Sequence, residues 1–350
     1  MSKSESIESS APKLQSPEWI RPALIDQEAD SPVESSPLEQ RAERLGAYVI
    51  AIATQKGGVA KTTTAASLGG AFVQLGWKVL LIDLDAQANL TLALGEDPFR
   101  VRGTITDVLF NSEPLLWKSH ETCIPGLDLV PANSGMELAE HFLKSRINYE
   151  TVLRDAINQS IRRLPLKRAQ TRKAKNLSSL KTRSAKKNSS PPQDNMPQFD
   201  IKQLEETHTT IEYDVVILDC PPALGAVTLN ALVAADLLII PMQPEYFSVH
   251  SLKIILPAIR YVRDKYNPKL AYRILITLFD RRNRIHQNFT RQLRQTGGSG
   301  VLKTIIEIDT KLRESALDGM PITELWKQSR SAVQYCALAE ELIRFVEQAF

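Results

Sequence analysis

Residues 48–64 read YVIAIATQKGGVAKTTT, and three kinds of local structure succeed one another within them. Tyr48 to Ala53 is an apolar, partly β-branched run, as expected of a strand buried on both faces. Gln55 to Ala60 supplies small, flexible residues, and Lys61-Thr62-Thr63-Thr64 opens a helical pattern. Such a turn is built to hold phosphate. Glycine lets the backbone come close to a ligand, successive N–H groups point inward, and the positive end of the following helix faces the negative charge.

The general phosphate-loop pattern is G-x-x-x-x-G-K-[ST], with the lysine reaching the β- and γ-phosphates and the hydroxyl ligating Mg²⁺. Gln55 replaces its first glycine and Ala60 its last, Lys56 adds a cation at the front, and Lys61-Thr62 keeps the essential pair. The form K-G-G-V-A-K-T-T resembles the deviant Walker A motif of the ParA/MinD family of ATPases. That resemblance makes Lys56, Gly57, Gly58, Val59, Ala60, Lys61, Thr62 and Thr63 the nucleotide-binding residues. The implied fold is α/β: one doubly wound, mostly parallel sheet with helices on both faces.

Downstream, Val79 to Ile82 reads as a second buried strand ending in Asp83-Leu84-Asp85. Carboxylates at the carboxyl end of a strand, beside a phosphate loop, are where doubly wound sheets place their chemistry; the same pair also occurs as a helix cap. The following AQANLT resembles the family's switch segment, with Ala86 where proline is usual. The resemblance gives Asp85 the task of positioning or activating the attacking water, and Asp83 that of organising the loop and the magnesium shell. YDVVILDCPP from Tyr213 matches Walker B, in which Asp219 holds magnesium through water and orients Thr62. ATP and Mg²⁺ are the implied cofactors; no N-K-x-D guanine-reading signature occurs.

Composition sets the outer bounds. The 350 residues are 43% apolar with a net charge of +3, so contact with nucleic acid must come from local clusters. Cys123, Cys220 and Cys336 are far apart and form no C-x-x-C, which argues against a disulfide framework or a cysteine-ligated cluster within one chain. Neither a membrane-spanning run nor an apolar signal core is present, so a cytoplasmic protein is expected. Met1 to about Leu45 is rich in Ser, Pro and Glu and reads as a disordered tail ahead of an ATPase domain over 46–350. An insertion interrupts that domain at about 162–210. Within it Lys167 to Lys187 carries nine Lys or Arg and no acid, either as a solvated loop or as a sequence-independent contact to phosphates.

Between these landmarks, Met136 to Ile161 shows helical spacing with an apolar stripe. Arg281, Arg282 and Arg284 open a further helix, and the family commonly carries a DNA-contacting arginine at the position of Arg282. In VLKTIIEIDTKLRESALDGMPI, Glu307 and Ile308 replace the family's Pro-Arg, while Lys311 keeps the second basic position. These four cations are the candidate DNA-binding set, against the alternative of a solvated face. The final amphipathic run carries Glu340, Glu341 and Glu347 against Arg344, which opposes attachment to anionic lipid, so it is expected to pack on the domain.

The resemblance therefore implies a partition ATPase that dimerises when ATP-bound, with Lys56 of one subunit reaching the phosphates held by the other. Asp85, Lys56 and Lys61 are its catalytic residues, and Thr62, Asp83 and Asp219 its metal-site residues. Its partners are non-specific DNA, which makes it nucleoid-associated, and a ParB-like activator. Membrane positioning of the MinD kind, positioning of a protein cargo, and a cluster-carrier role on the same fold are the alternatives.

Overall fold

The computed structural model describes residues 47–162, 211–246 and 248–348. The expectations for the tail and for the basic insertion fall on residues outside these. In chain order the elements are β1 (Tyr48–Ile52), α1 (Lys61–Gln74), β2 (Val79–Asp83), α2 (Asn89–Ala93), α3 (Ile105–Asn111), β3 (His120–Glu121), β4 (Leu127–Val130), α4 (Ala139–Lys144), α5 (Val152–Ser160) and β5 (Ile161–Arg162). They continue with β6 (Ile211–Glu212), β7 (Val215–Asp219), α6 (Ala226–Ala234), β8 (Leu237–Met242), α7 (Ser248–Lys265), β9 (Ala271–Phe279), α8 (Arg284–Gly297), β10 (Val301–Glu307), α9 (Lys311–Leu317), α10 (Ile322–Leu325) and α11 (Arg330–Gln348).

Eight strands form one sheet in the order β10-β9-β8-β1-β7-β2-β4-β3. Every pair in it is parallel except β3 with β4. Strand alternation divides the core into two layers. Val49, Ala51 and Ala53 face the side covered by α3 to α7. Tyr48, Ile50 and Ile52 face the side where Leu68 and Phe72 of α1 and Tyr335, Leu338 and Leu342 of α11 pack. β1 and β7 are buried throughout, which explains their unbroken apolar sequence. The doubly wound expectation is met.

The run expected to be helical from Met136 to Ile161 is instead divided. A 3₁₀ turn over Ser134–Leu138 leads into α4, and Tyr149–Thr151 forms another before α5. Asn148 adopts φ 56°, a left-handed conformation that ends helical continuity. The apolar spacing carries across the break because α4 and α5 both pack on α6.

The pair β5–β6 joins the described residues on either side of 163–210, in parallel register with Ile161 opposite Ile211, just ahead of β7. At the sheet's outer strand, the Glu341 carboxylate accepts the Lys303 N–H at 2.8 Å, the Thr304 N–H at 2.9 Å and the Thr304 hydroxyl at 2.8 Å. Gln334 Oε1 accepts the Glu307 N–H at 3.0 Å.

Candidate nucleotide site

The loop after β1 turns at the carboxyl edge of the sheet, between strands whose neighbours run to opposite sides, where open parallel sheets bind ligands. Gly58 has φ 72° and Ala60 φ 67°. An alanine in that conformation costs about 1–2 kcal/mol, and it occupies the position where the general pattern has its last glycine. The Thr277 hydroxyl secures the loop by donating to the Val59 carbonyl at 3.0 Å. No side-chain hydrogen bond caps α1 among the described residues, which leaves its start open to an anion.

Lys61 begins α1 and is only 8% exposed. Burial lowers its pKa, with Asp219 and then Asp85 opposing the shift, and Nζ lies 3.4 Å from the Lys56 carbonyl. Thr62 and Thr63 are half-buried beside it. Asp83 and Asp219 end adjacent parallel strands and are direct register partners. Both are buried, yet their surroundings differ.

Asp83 is saturated by its own chain. Its carboxylate accepts the Thr91 N–H at 2.9 Å, the Thr91 hydroxyl at 2.8 Å and the Asp85 N–H at 3.1 Å. Burial nevertheless pushes its pKa up to about 6 against those bonds. Among the described residues Asp219 has no hydrogen-bond partner for either oxygen. Burial and then the charge of Asp83 raise its pKa well above the carboxylate range. Thr62 and Lys61 pull the other way, and the Thr62 hydroxyl comes near without satisfying either oxygen. An orphaned, buried carboxylate beside a threonine at a helix start fits a divalent cation held with phosphate. Asp85, half-buried, turns its Oδ1 to the Gln87 N–H at 3.1 Å, fixing the switch segment locally.

Lys56 points away from Lys61. Its ammonium lies 2.9 Å from Glu245 Oε2 and 3.4 Å from the Ser248 hydroxyl, within the same chain. Glu245 and Ser248 follow β8, and 189 residues of sequence separate the ion pair, so no local signal exposes it. Thr91 as the partner of Asp83 is likewise unassigned by sequence, although it lies in the AQANLT segment. Glu140 of α4 escapes sequence reasoning as well: it accepts the Ala226 N–H at 2.6 Å and the Val227 N–H at 3.1 Å, closing the start of α6 just beyond Walker B. Cys220 is buried, and its thiol pKa is pushed far up by burial and Asp219, as suits an inert strand-end thiol.

The four candidate DNA-binding cations lie beyond the carboxyl ends of β9 and β10. Arg282 pairs with Asp280 at 3.2 Å and is 92% exposed. Arg284 is exposed at the start of α8. Arg281 contacts Glu307 at 2.6 Å, and Lys311 lies 4.7 Å from the centre of the Trp326 ring. They share an edge of the molecule but do not converge on one point.

A glycine turn feeding an uncapped helix, with the strand-end carboxylate of Asp219 facing its lysine, defines a P-loop nucleotide-binding protein. A profile of the AAA domain family matches residues 47–163 and 182–272. The chromosome partitioning protein ParA of Caulobacter vibrioides is 30% identical over 296 residues, 84% of this chain and 93% of that protein. The sporulation initiation inhibitor protein Soj of Bacillus subtilis is 30% identical over 295 residues, 84% of this chain and 97% of that one. A crystal structure of cobyrinic acid a,c-diamide synthase from Mycobacterium smegmatis, with ADP and magnesium, superposes with a TM-score of 0.63 at 29% identity, covering 87% of this chain and 97% of that one. The chain belongs to the AAA domain family and, within it, to the ParA/Soj group of ParA/MinD-type P-loop ATPases.

Proposed function

We propose that this chain is a partition ATPase: it hydrolyses ATP with Mg²⁺, dimerises when ATP-bound, binds DNA without sequence preference and positions DNA with a ParB-like activator. The observation that carries the ATPase reading is the orphaned Asp219 carboxylate buried opposite Lys61, at the open start of α1. ATP with magnesium supplies a phosphoryl group whose transfer to water needs positioning and charge stabilisation rather than covalent help from the protein.

In this reading the loop amides from Gly57 to Lys61 and the start of α1 bind the phosphates. Thr62 and Asp219 would hold the cation, with Asp83 behind them bracing the switch segment through Thr91. Lys61 leaves the Lys56 carbonyl for the phosphates. Asp85, presented by that braced segment, accepts a proton from the attacking water and holds it in line. Lys56 is kept by Glu245 in the isolated subunit. On dimerisation it exchanges that partner for the phosphates of the other subunit and stabilises charge in trans, in the manner of an arginine finger.

The relatives named for chromosome partitioning and the exposed cations beyond β9 support the DNA step. DNA attachment would place the protein on the nucleoid. No helix among the described residues is long and apolar enough to cross a membrane, and the apolar side of α11 is spent on α1 and β10, which disfavours lipid binding through that helix. The test is binding to random-sequence duplex DNA with ATP, with ADP and without nucleotide, across a salt series. ATP-dependent, salt-sensitive binding is expected. Binding indifferent to nucleotide would remove the switch from the reading, and no binding at low salt would overturn the DNA step.

A further inference from the structure

The place of Glu307 is unusual for a charged group. It ends β10 with its side chain 7% exposed, and it stands where the family resemblance expects proline. Its carboxylate is engaged by three side chains from two elements. Arg281, from the loop after β9, reaches Oε1 with NH2 at 2.6 Å and Nε at 2.7 Å. Arg330, at the start of α11, brings NH1 to Oε2 at 3.3 Å and donates NH2 to the Ile308 carbonyl. Gln334 Nε2 completes the set at 3.0 Å.

One buried negative charge thus holds two guanidinium groups, and the cluster keeps a net charge of +1. Neither arginine is used up by the contact, since their side chains are 71% and 51% exposed. Each guanidinium carries five N–H donors in a rigid fork, so donors remain on the outer side. The neighbouring acids are committed elsewhere: Asp280 to Arg282, and Asp309 to the Ser331 N–H and hydroxyl and the Lys311 N–H.

We propose that Arg281 and Arg330, clamped side by side by Glu307, form a preorganised site for the phosphodiester backbone of a nucleic acid duplex. Glu307 is its positioning residue. The inference rests on the proposed DNA binding of this chain and adds to it Arg330, which no sequence motif points to, and a function for an acid in a basic patch. Its physical basis is entropic. A free surface arginine loses rotamer freedom when it meets a phosphate. These two have already lost much of it, at the moment of folding.

The two possible roles of Glu307 make opposite predictions. If it only dilutes the positive field, Glu307→Gln adds +1 to the protein and tightens DNA binding. If it positions the arginines, the same change weakens binding by about 3- to 10-fold despite the added positive charge, the cost of ordering one or two long side chains on binding. The experiment titrates the full chain, with ATP, against random-sequence duplex DNA from low to moderate salt, with thermal unfolding of each variant as the check on folding. Arg330→Ala is expected to reduce the slope of log K against log salt by about 0.9. Arg330→Lys keeps the charge without the fork, so it should keep the slope and lose affinity. Because Arg330 is half exposed, this pair decides the matter even if Glu307→Gln does not fold.

Wild-type slope and affinity in Arg330→Ala, or tighter binding by Glu307→Gln, overturns the clamp while the wider function stands. A wild-type chain that fails to bind DNA with any nucleotide overturns both.

Discussion

Two aspartates end neighbouring strands at the same height, and their hydrogen-bonding separates their tasks. Asp83 is engaged by three donors, whereas Asp219 has none. The pKa of Asp83, raised to about 6 from 3.8, makes stability depend on pH. As pH rises from about 4, Asp83 ionises first in the unfolded chain while the folded chain keeps its proton, so its contribution to stability falls until about pH 6 and is level above it. In metal-free buffer the thermal midpoint of the wild type should show that decline relative to Asp83→Asn, whose profile should be flatter over the same window. Among the loop residues, Lys61→Ala should weaken binding of a fluorescent ATP analogue by about 30-fold or more, a loss of about 2 kcal/mol. Asp85→Ala should slow turnover by about 100-fold or more and leave the dimer assembled with ATP in size-exclusion chromatography; wild-type turnover would remove Asp85 from catalysis. Lys56→Ala should still bind ATP but elute as a monomer. Lys61, Asp83 and Asp219 could be found in the sequence because each lies in a short contiguous motif. Glu245 could not, since its ion pair with Lys56, closed across 189 residues, leaves no periodicity or spacing to read.

Among the elements, α6 shows how a helix can be started from a distance. Gly225 precedes it, and no side chain of its own caps it; the two N–H groups at its start are bound by Glu140 from α4. A Cβ on Gly225 would collide with the Glu140 carboxylate, so the glycine leaves room for the foreign cap. Glu140→Ala should lower stability by about 0.5–2 kcal/mol, as for other lost N-caps, measured by urea unfolding. Gly225→Ala should approach the same loss by pushing the carboxylate aside. Strands β1, β2 and β7 were legible because burial on both faces enforces continuous apolar sequence. The break between α4 and α5 was not. The apolar positions track the packing on α6, which continues through the interruption, while the left-handed turn at Asn148 is a local event with no effect on that spacing.

For the whole molecule, the doubly wound sheet was implied by the resemblance to the ParA/MinD family, carried by motifs that follow one another in the right order along the chain. The sequence did not foretell that the described residues on either side of 163–210 pair with each other near the start of β7, opposite the nucleotide loop. Deleting Lys167 to Lys187 should lower the salt slope of DNA binding by about 0.9 for each phosphate contact removed. The ratio of affinities with ATP and with ADP should be unchanged, because the stem at β5–β6 lies far from the carboxyl edge; a collapse of that ratio would tie the insertion to the switch. The outer strands have a separate consequence. The amides of Lys303, Thr304 and Glu307 on β10 are occupied by Glu341 and Gln334, and at the far side β3 is only two residues long. A newcomer chain finds no ladder to extend on β10 and barely a rung on β3. A filament of this protein, were one to form, could not be a growing ribbon of strands and would have to be assembled from loops and helices.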